Sequence, residues 1–243
     1  MLFFDPLYLI IVGPAILFGI VAQILVSSAF RRYSQVRASS GLTGHELAER
    51  LLRDSNARAA LVAPGHEGQV SQVLSQVHVE RIGGNLSDHY DPSTRVLRLS
   101  EPVYASDSLA ALGVAAHETG HAFQHAEHYG PLALRTAIVP AINFGAQIWP
   151  IVFIGYLFTR MPVLINVGIV IFAGVLLFSL ITLPVELNAS ARAMRLLSAG
   201  GYVTPDEARG VRRVLTAAAL TYVAATVSAF LTLAYLLLLR NRR

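Results

Sequence analysis

The chain has 243 residues, enough for one or two compact domains, but its composition excludes an ordinary soluble protein. Hydrophobic residues make up 54 %, charged residues only 14 %, and mean hydropathy is +0.53. The net charge of +4 comes from 19 arginines without a lysine, and these flank apolar runs rather than form a nucleic-acid-binding patch; the absence of cysteine excludes disulfides and thiolate ligands, so any metal must be held by His and carboxylate.

The first apolar run extends from about Leu7 to Phe30 and carries no charge, long enough for the ~20 residues a bilayer crossing needs. Its start, Met1-Leu2-Phe3-Phe4-Asp5, has no basic region and no A-x-A site follows, which points to an uncleaved anchor. Arg31, Arg32 and Arg37 follow it. Thr43-Gly44-His45-Glu46 has the form of a capping box opening a short helix to about Ser55. Residues 57–76 are weakly patterned, with a Pro64-Gly65 turn and a short helix from Gln69 to Gln76. Val77 to Ile82 and Arg95 to Ser100 alternate apolar and polar as strands do, separated by Gly83-Gly84-Asn85 and the Asp91-Pro92-Ser93-Thr94 turn, so a small hairpin or meander is predicted. If the strand near Arg95–Leu99 lay at an edge, it could bind an extended peptide by strand addition.

Ser106-Asp107-Ser108 supplies N-cap chemistry for a helix from about Leu109 to His125. The apolar part of that helix, Leu109 to Ala116, is too short to cross a bilayer. It belongs instead to a membrane-flanking domain that ends at Gly130-Pro131. Three more uncharged runs follow, from about Ala137 to Phe158, Val163 to Leu183 and Val214 to Leu239. Between the last two, Thr204-Pro205-Asp206-Glu207 marks another helix start. Arg192, Arg195, Arg209, Arg212 and Arg213 lie in the same interval. The positive-inside rule puts this interval and the segment after the first run in the cytoplasm. The same topology places Arg240, Arg242 and Arg243 on the far side, against the rule, unless the last helix does not cross fully.

These elements, with the His117-Glu118-Thr119-Gly120-His121 motif on the 109–125 helix, predict a mainly α, multi-pass membrane protein with about four transmembrane helices and a small α+β zincin-like domain. An N-terminal anchor spans residues 1–30 and a cytoplasmic domain 31–131. A transmembrane hairpin occupies 132–184, a ligand-bearing segment 185–213 and a final transmembrane helix 214–243.

The 109–125 helix carries His117-Glu118-Thr119-Gly120-His121. Two residues four apart on a helix advance by about 400°, so both imidazoles leave one face a turn apart. That spacing suits one Zn2+, with the intervening glutamate placed as general base toward an activated water. Chance produces such a motif in roughly one chain in a hundred of this composition, so context has to carry part of the assignment. A peptidase zinc takes three protein ligands and leaves one position for water. His125 lies about 12 Å along the axis from His117, too far for a shared metal with bonds near 2 Å. The extended metzincin pattern also fails, with Gln124 and Glu127 where Gly and His are required.

Glu186 is the better third ligand. A membrane hairpin leaves and re-enters on one face, which brings residue 185 back beside residue 130, and a carboxylate at a span terminus in so apolar a chain calls for a partner. A transition-state oxyanion needs a further donor, for which His89, Tyr90 and Tyr222 are candidates.

The runs Leu86 to Pro92, Val96 to Glu101, Ala115 to Ala122, Leu183 to Ser190 and Ala217 to Ala225 resemble the YugP-like neutral zinc metallopeptidases of bacterial membranes, over most of the chain from about Leu2 to Tyr235. The resemblance implies a gluzincin-type site with His117 and His121 as ligands, Glu118 as acid/base and Glu186 as third ligand. It also implies one Zn2+ per chain, a peptide or protein substrate and a bacterial inner membrane. Residues 57–76 are longer than this pattern. The layout is more distantly similar to HtpX- and Ste24-like proteases, in which an aspartate supports a ligand histidine; Ser190 stands at that place here, with Asn188 and Arg192 as possible substitutes.

The function these features predict is a membrane-embedded zinc endopeptidase working at the cytoplasmic face, able to form a homo-oligomer or join a larger membrane complex. One competing reading is a non-catalytic zinc-stabilised scaffold, against which an intact Glu118 argues. Another is a transporter, against which the lack of ionisable groups inside the spans argues.

Overall fold

The computed structural model describes residues 6–54, 60–62, 64–65 and 67–241. Met1 to Asp5, part of the weakly patterned 57–76 stretch, Arg242 and Arg243 lie outside the described residues. In chain order the helices are α1 (Pro6–Tyr33), α2 (Gly44–Arg53), α3 (Glu67–Leu74), α4 (Glu101–Tyr104), α5 (Leu109–Ala126), α6 (Gly130–Thr159), α7 (Pro162–Ala199) and α8 (Pro205–Asn241). The strands are β1 (His78–Ile82), β2 (His89–Asp91) and β3 (Val96–Ser100). The protein is mainly helical, and α1, α6, α7 and α8 are each long and apolar enough to cross a membrane. α7 is one helix through Pro184, so the third apolar run and the Glu186 segment belong to a single element.

The chain forms two compact units. One comprises Met1–Ile24, Ala133–Pro184 and Ala219–Arg243. Its packed interior includes Val12, Tyr156, Ile165, Tyr235 and Leu236. Trp149 meets Phe172 edge to face with ring centroids 4.8 Å apart. Much of this unit's apolar surface faces outward: Ile10, Ile151, Val170 and Phe158 are 71–85 % exposed. A surface so apolar and uncharged suits hydrocarbon rather than water as its solvent.

The other unit comprises Leu25–Leu132 and Val185–Ala218. Its core is built around α5, whose Leu109, Ala110, Ala111, Leu112, Ala115 and Ala116 are buried. The short apolar run that cannot span a bilayer is thus the centre of this core. Local signals set its surrounding helices. Thr43 caps α2 with a reciprocal bond to Glu46, and the helix buries Leu47, Leu51 and Leu52 on one face. Each such leucine contributes about 1.5–3 kcal/mol when removed from water. The Ser108 side chain accepts from the Ala111 N–H at 3.2 Å and starts α5. Thr204 and Glu207 form the corresponding pair at α8.

The sheet differs from a simple hairpin or meander. Its order is β1-β3-β2, with β1 parallel and β2 antiparallel to β3. The short β2 carries only three residues, too few to alternate visibly in sequence. β3 is therefore central, and both its edges are occupied. A peptide cannot add alongside Arg95–Leu99, which corrects that expectation; the outer edges belong to β1 and β2.

Candidate metal centre

α5 and α7 supply the site. His117 and His121 project from one face of α5, their rings edge to face with centroids 4.8 Å apart. Glu186 projects from α7 and is 2 % exposed. Its Oε2 lies 3.1 Å from His117 Nε2 and 3.6 Å from His121 Nε2. One ligand atom from each of the three residues falls within 4.8 Å of the others, close enough for one metal ion.

The opposite ring nitrogens fix the chemistry of this trio. His121 Nδ1 lies 2.9 Å from Gln124 Oε1. The orientation of that amide is set independently, because Gln124 Nε2 donates to the Val185 carbonyl and to Asn188 Oδ1, each at 2.9 Å. Gln124 thus presents an acceptor to His121, whose Nδ1 must carry the proton; in a neutral ring the Nε2 lone pair then faces Glu186. His117 Nδ1 meets Ser190 Oγ at 3.2 Å. The acceptor nitrogen of His121 thus faces a buried carboxylate oxygen, an arrangement that calls for a cation between them. Two imidazoles and one carboxylate fit zinc.

Glu118 lies beside this trio in sequence and is 8 % exposed. Its Oε2 accepts from the Tyr90 N–H at 3.0 Å, so the outer edge of β2 grips it. Burial pushes its carboxyl up to about 7; Glu186 and Asp88 add to the rise, while His117 and the Tyr90 N–H pull the other way. Asp88 in turn accepts from the Ser100 N–H at 2.7 Å and from its hydroxyl, pinning the loop that leads into β2.

The remaining candidates make the following contacts. The Tyr90 hydroxyl pairs with His125 Nδ1 at 2.8 Å, so what Tyr90 directs at Glu118 is its backbone. His89 is exposed, with Nδ1 2.8 Å from the Ser87 carbonyl. Tyr222 belongs to the other unit, on α8, where its carbonyl accepts from Thr226. Arg192 donates to Asn188 Oδ1 at 2.7 Å and pairs with Glu127, so both Arg192 and Asn188 reach the histidines only through Gln124. Ser190 itself, rather than either substitute, contacts His117. Gln124 is the residue that sequence reasoning missed. Its signal was its place three residues after His121, on the same helix face as a ligand.

No solved structure matches the chain. A relative from Bacillus subtilis (strain 168), described as "Putative membrane protease YugP", is 46 % identical over 223 residues, covering 91 % of this chain and 92 % of the relative. The family described as "Putative neutral zinc metallopeptidase" matches residues 8–241. Matched over nearly its whole length, the chain belongs to that zinc metallopeptidase family.

Proposed function

We propose that this chain is a membrane-anchored zinc endopeptidase that hydrolyses peptide bonds at the cytoplasmic face of a bacterial inner membrane. The observation that carries this reading is the convergence of His117, His121 and Glu186 within 4.8 Å, with Glu118 next to them in a buried position. The three residues are the metal ligands, one zinc per chain. Zinc bound there supplies Lewis acidity that acidifies water and polarises a carbonyl.

Glu118 is the general base and acid. One carboxylate oxygen is held by the Tyr90 N–H, which leaves the other to take a proton from the attacking water and pass it to the leaving amine. Ser190 and Gln124 hold the two imidazoles in place at their Nδ1 atoms. The membrane setting rests on the four apolar helices and on the relative's description as a membrane protease.

The test is to purify the wild type and Glu118→Gln in detergent, measure bound metal, and follow cleavage of an unfolded casein-like substrate. Both proteins should bind about one zinc, and the variant should lose cleavage by about 10³-fold or more, within the range that removal of a general base commonly costs. Equal cleavage by the two proteins would overturn the assignment. Zinc binding without cleavage by either would favour a zinc-stabilised membrane scaffold.

A further inference from the structure

Gln124 is fully buried, and its side chain touches both halves of the candidate metal centre. Its Oε1 faces His121 Nδ1 on α5, and its Nε2 reaches the Val185 carbonyl, one residue before Glu186 on α7. The second Nε2 bond goes to Asn188 Oδ1, which also accepts from Arg192 Nε, and Arg192 pairs with Glu127 just past the end of α5. A buried polar chain therefore runs Glu127–Arg192–Asn188–Gln124–His121. Only the amide orientation with Oε1 toward the histidine satisfies every bond in it.

We propose that Gln124 is a positioning residue for the metal. It selects the Nδ1–H tautomer of His121, directing the Nε2 lone pair at the ion. The same side chain ties α5 to the backbone beside Glu186, which fixes the second and third ligands relative to each other. This inference rests on the metal-binding reading above but not on catalysis. Partners that orient a ligand histidine commonly change metal affinity by 10–100-fold when removed.

Two substitutions separate positioning from general support of the core. Gln124→Leu removes both acceptor and donors. Gln124→Glu keeps an oxygen acceptor for His121 Nδ1, loses the donors and turns a carboxylate oxygen toward the Val185 carbonyl and Asn188 Oδ1. The readouts are zinc affinity of the metal-stripped full chain in detergent and the visible spectrum of the cobalt-loaded form, which reports ligand geometry without requiring turnover. Gln124→Leu should bind zinc about 10–100-fold more weakly with an altered cobalt spectrum, and Gln124→Glu, which restores the acceptor for His121 but not the tie to α7, should recover part of the affinity. Wild-type affinity in Gln124→Leu, or equal weakness in both variants, would overturn the proposal.

The wild type supplies a measurement that holds even if Gln124→Leu fails to fold. With ¹⁵N-labelled histidine, and the His121 ring assigned by difference against His121→Gln, the metal-free protein at alkaline pH should show the proton on Nδ1. A proton on Nε2 would overturn the proposal. Failure of the functional reading looks different: a wild type that binds no zinc refutes the metal centre itself, whereas a zinc-binding wild type with unaffected Gln124 variants refutes only this role.

Discussion

Where the wider pattern of membrane metalloproteases places an aspartate to support a ligand histidine, this chain has Ser190, and its hydroxyl lies 3.2 Å from His117 Nδ1. A hydroxyl is neutral where a carboxylate is charged, and it can accept from or donate to the ring nitrogen; here it sits on the same helix as Glu186, one turn further along. α7 thus supplies a candidate ligand and the partner of another candidate ligand from adjacent turns. Ser190→Ala should weaken zinc binding by about tenfold, read by competition with a chromogenic chelator, while leaving the apo protein's melting temperature nearly unchanged. An unaltered zinc affinity would show that His117 needs no such partner. The convergence of His117 and His121 on one helix face was legible in the sequence because a spacing of four is a local, periodic pattern. Glu186 required an argument about chain reversal, and Gln124 escaped because its partners, Val185 and Asn188, are about sixty residues away.

Among the elements, the approach of α5 to α7 decides whether the ligands meet. Gly120, inside the HExxH motif, sits against the backbone of Ala189: a Cβ there would lie 2.8 Å from its carbonyl oxygen and 3.3 Å from its Cα. Backbone atoms cannot step aside as a side-chain tip can. In an exposed helix Gly→Ala gains up to about 1 kcal/mol. Here the forced separation should outweigh that gain, for a net loss of about 1–3 kcal/mol. Gly120→Ala should therefore lower both the melting temperature and zinc affinity, and a stabilised variant with normal zinc binding would refute the tight crossing. The helices themselves were readable from caps and apolar runs, because those signals lie within a few residues: Thr43, Ser108 and Thr204 each cap a helix as expected. The sheet order was not, since the parallel pairing of β1 with β3 depends on contacts the intervening chain does not encode locally.

At the scale of the whole molecule, the open question is which side of the membrane the metal centre faces. Eight arginines, at 31, 32, 37, 192, 195, 209, 212 and 213, lie in the segments that follow the first apolar run and separate the third from the fourth, against four at 160, 240, 242 and 243 in the α6–α7 connection and near the chain end. By the positive-inside rule the larger group is expected on the cytoplasmic side, and a cytoplasmic metal centre is the proposal to test. The absence of cysteine makes this directly testable, since any introduced thiol is the only one in the chain. Asn85→Cys lies in the exposed loop before β2, and Met161→Cys in the short connection between α6 and α7, where Met161 is 51 % exposed. In intact spheroplasts a membrane-impermeant maleimide should label Met161→Cys and leave Asn85→Cys unlabelled until the membrane is permeabilised. The reverse pattern would put the metal centre outside the cell and restrict its substrates to exported or extracytoplasmic segments. Labelling of both in intact cells would mean that α6 does not cross, because residues 85 and 161 would then share one side.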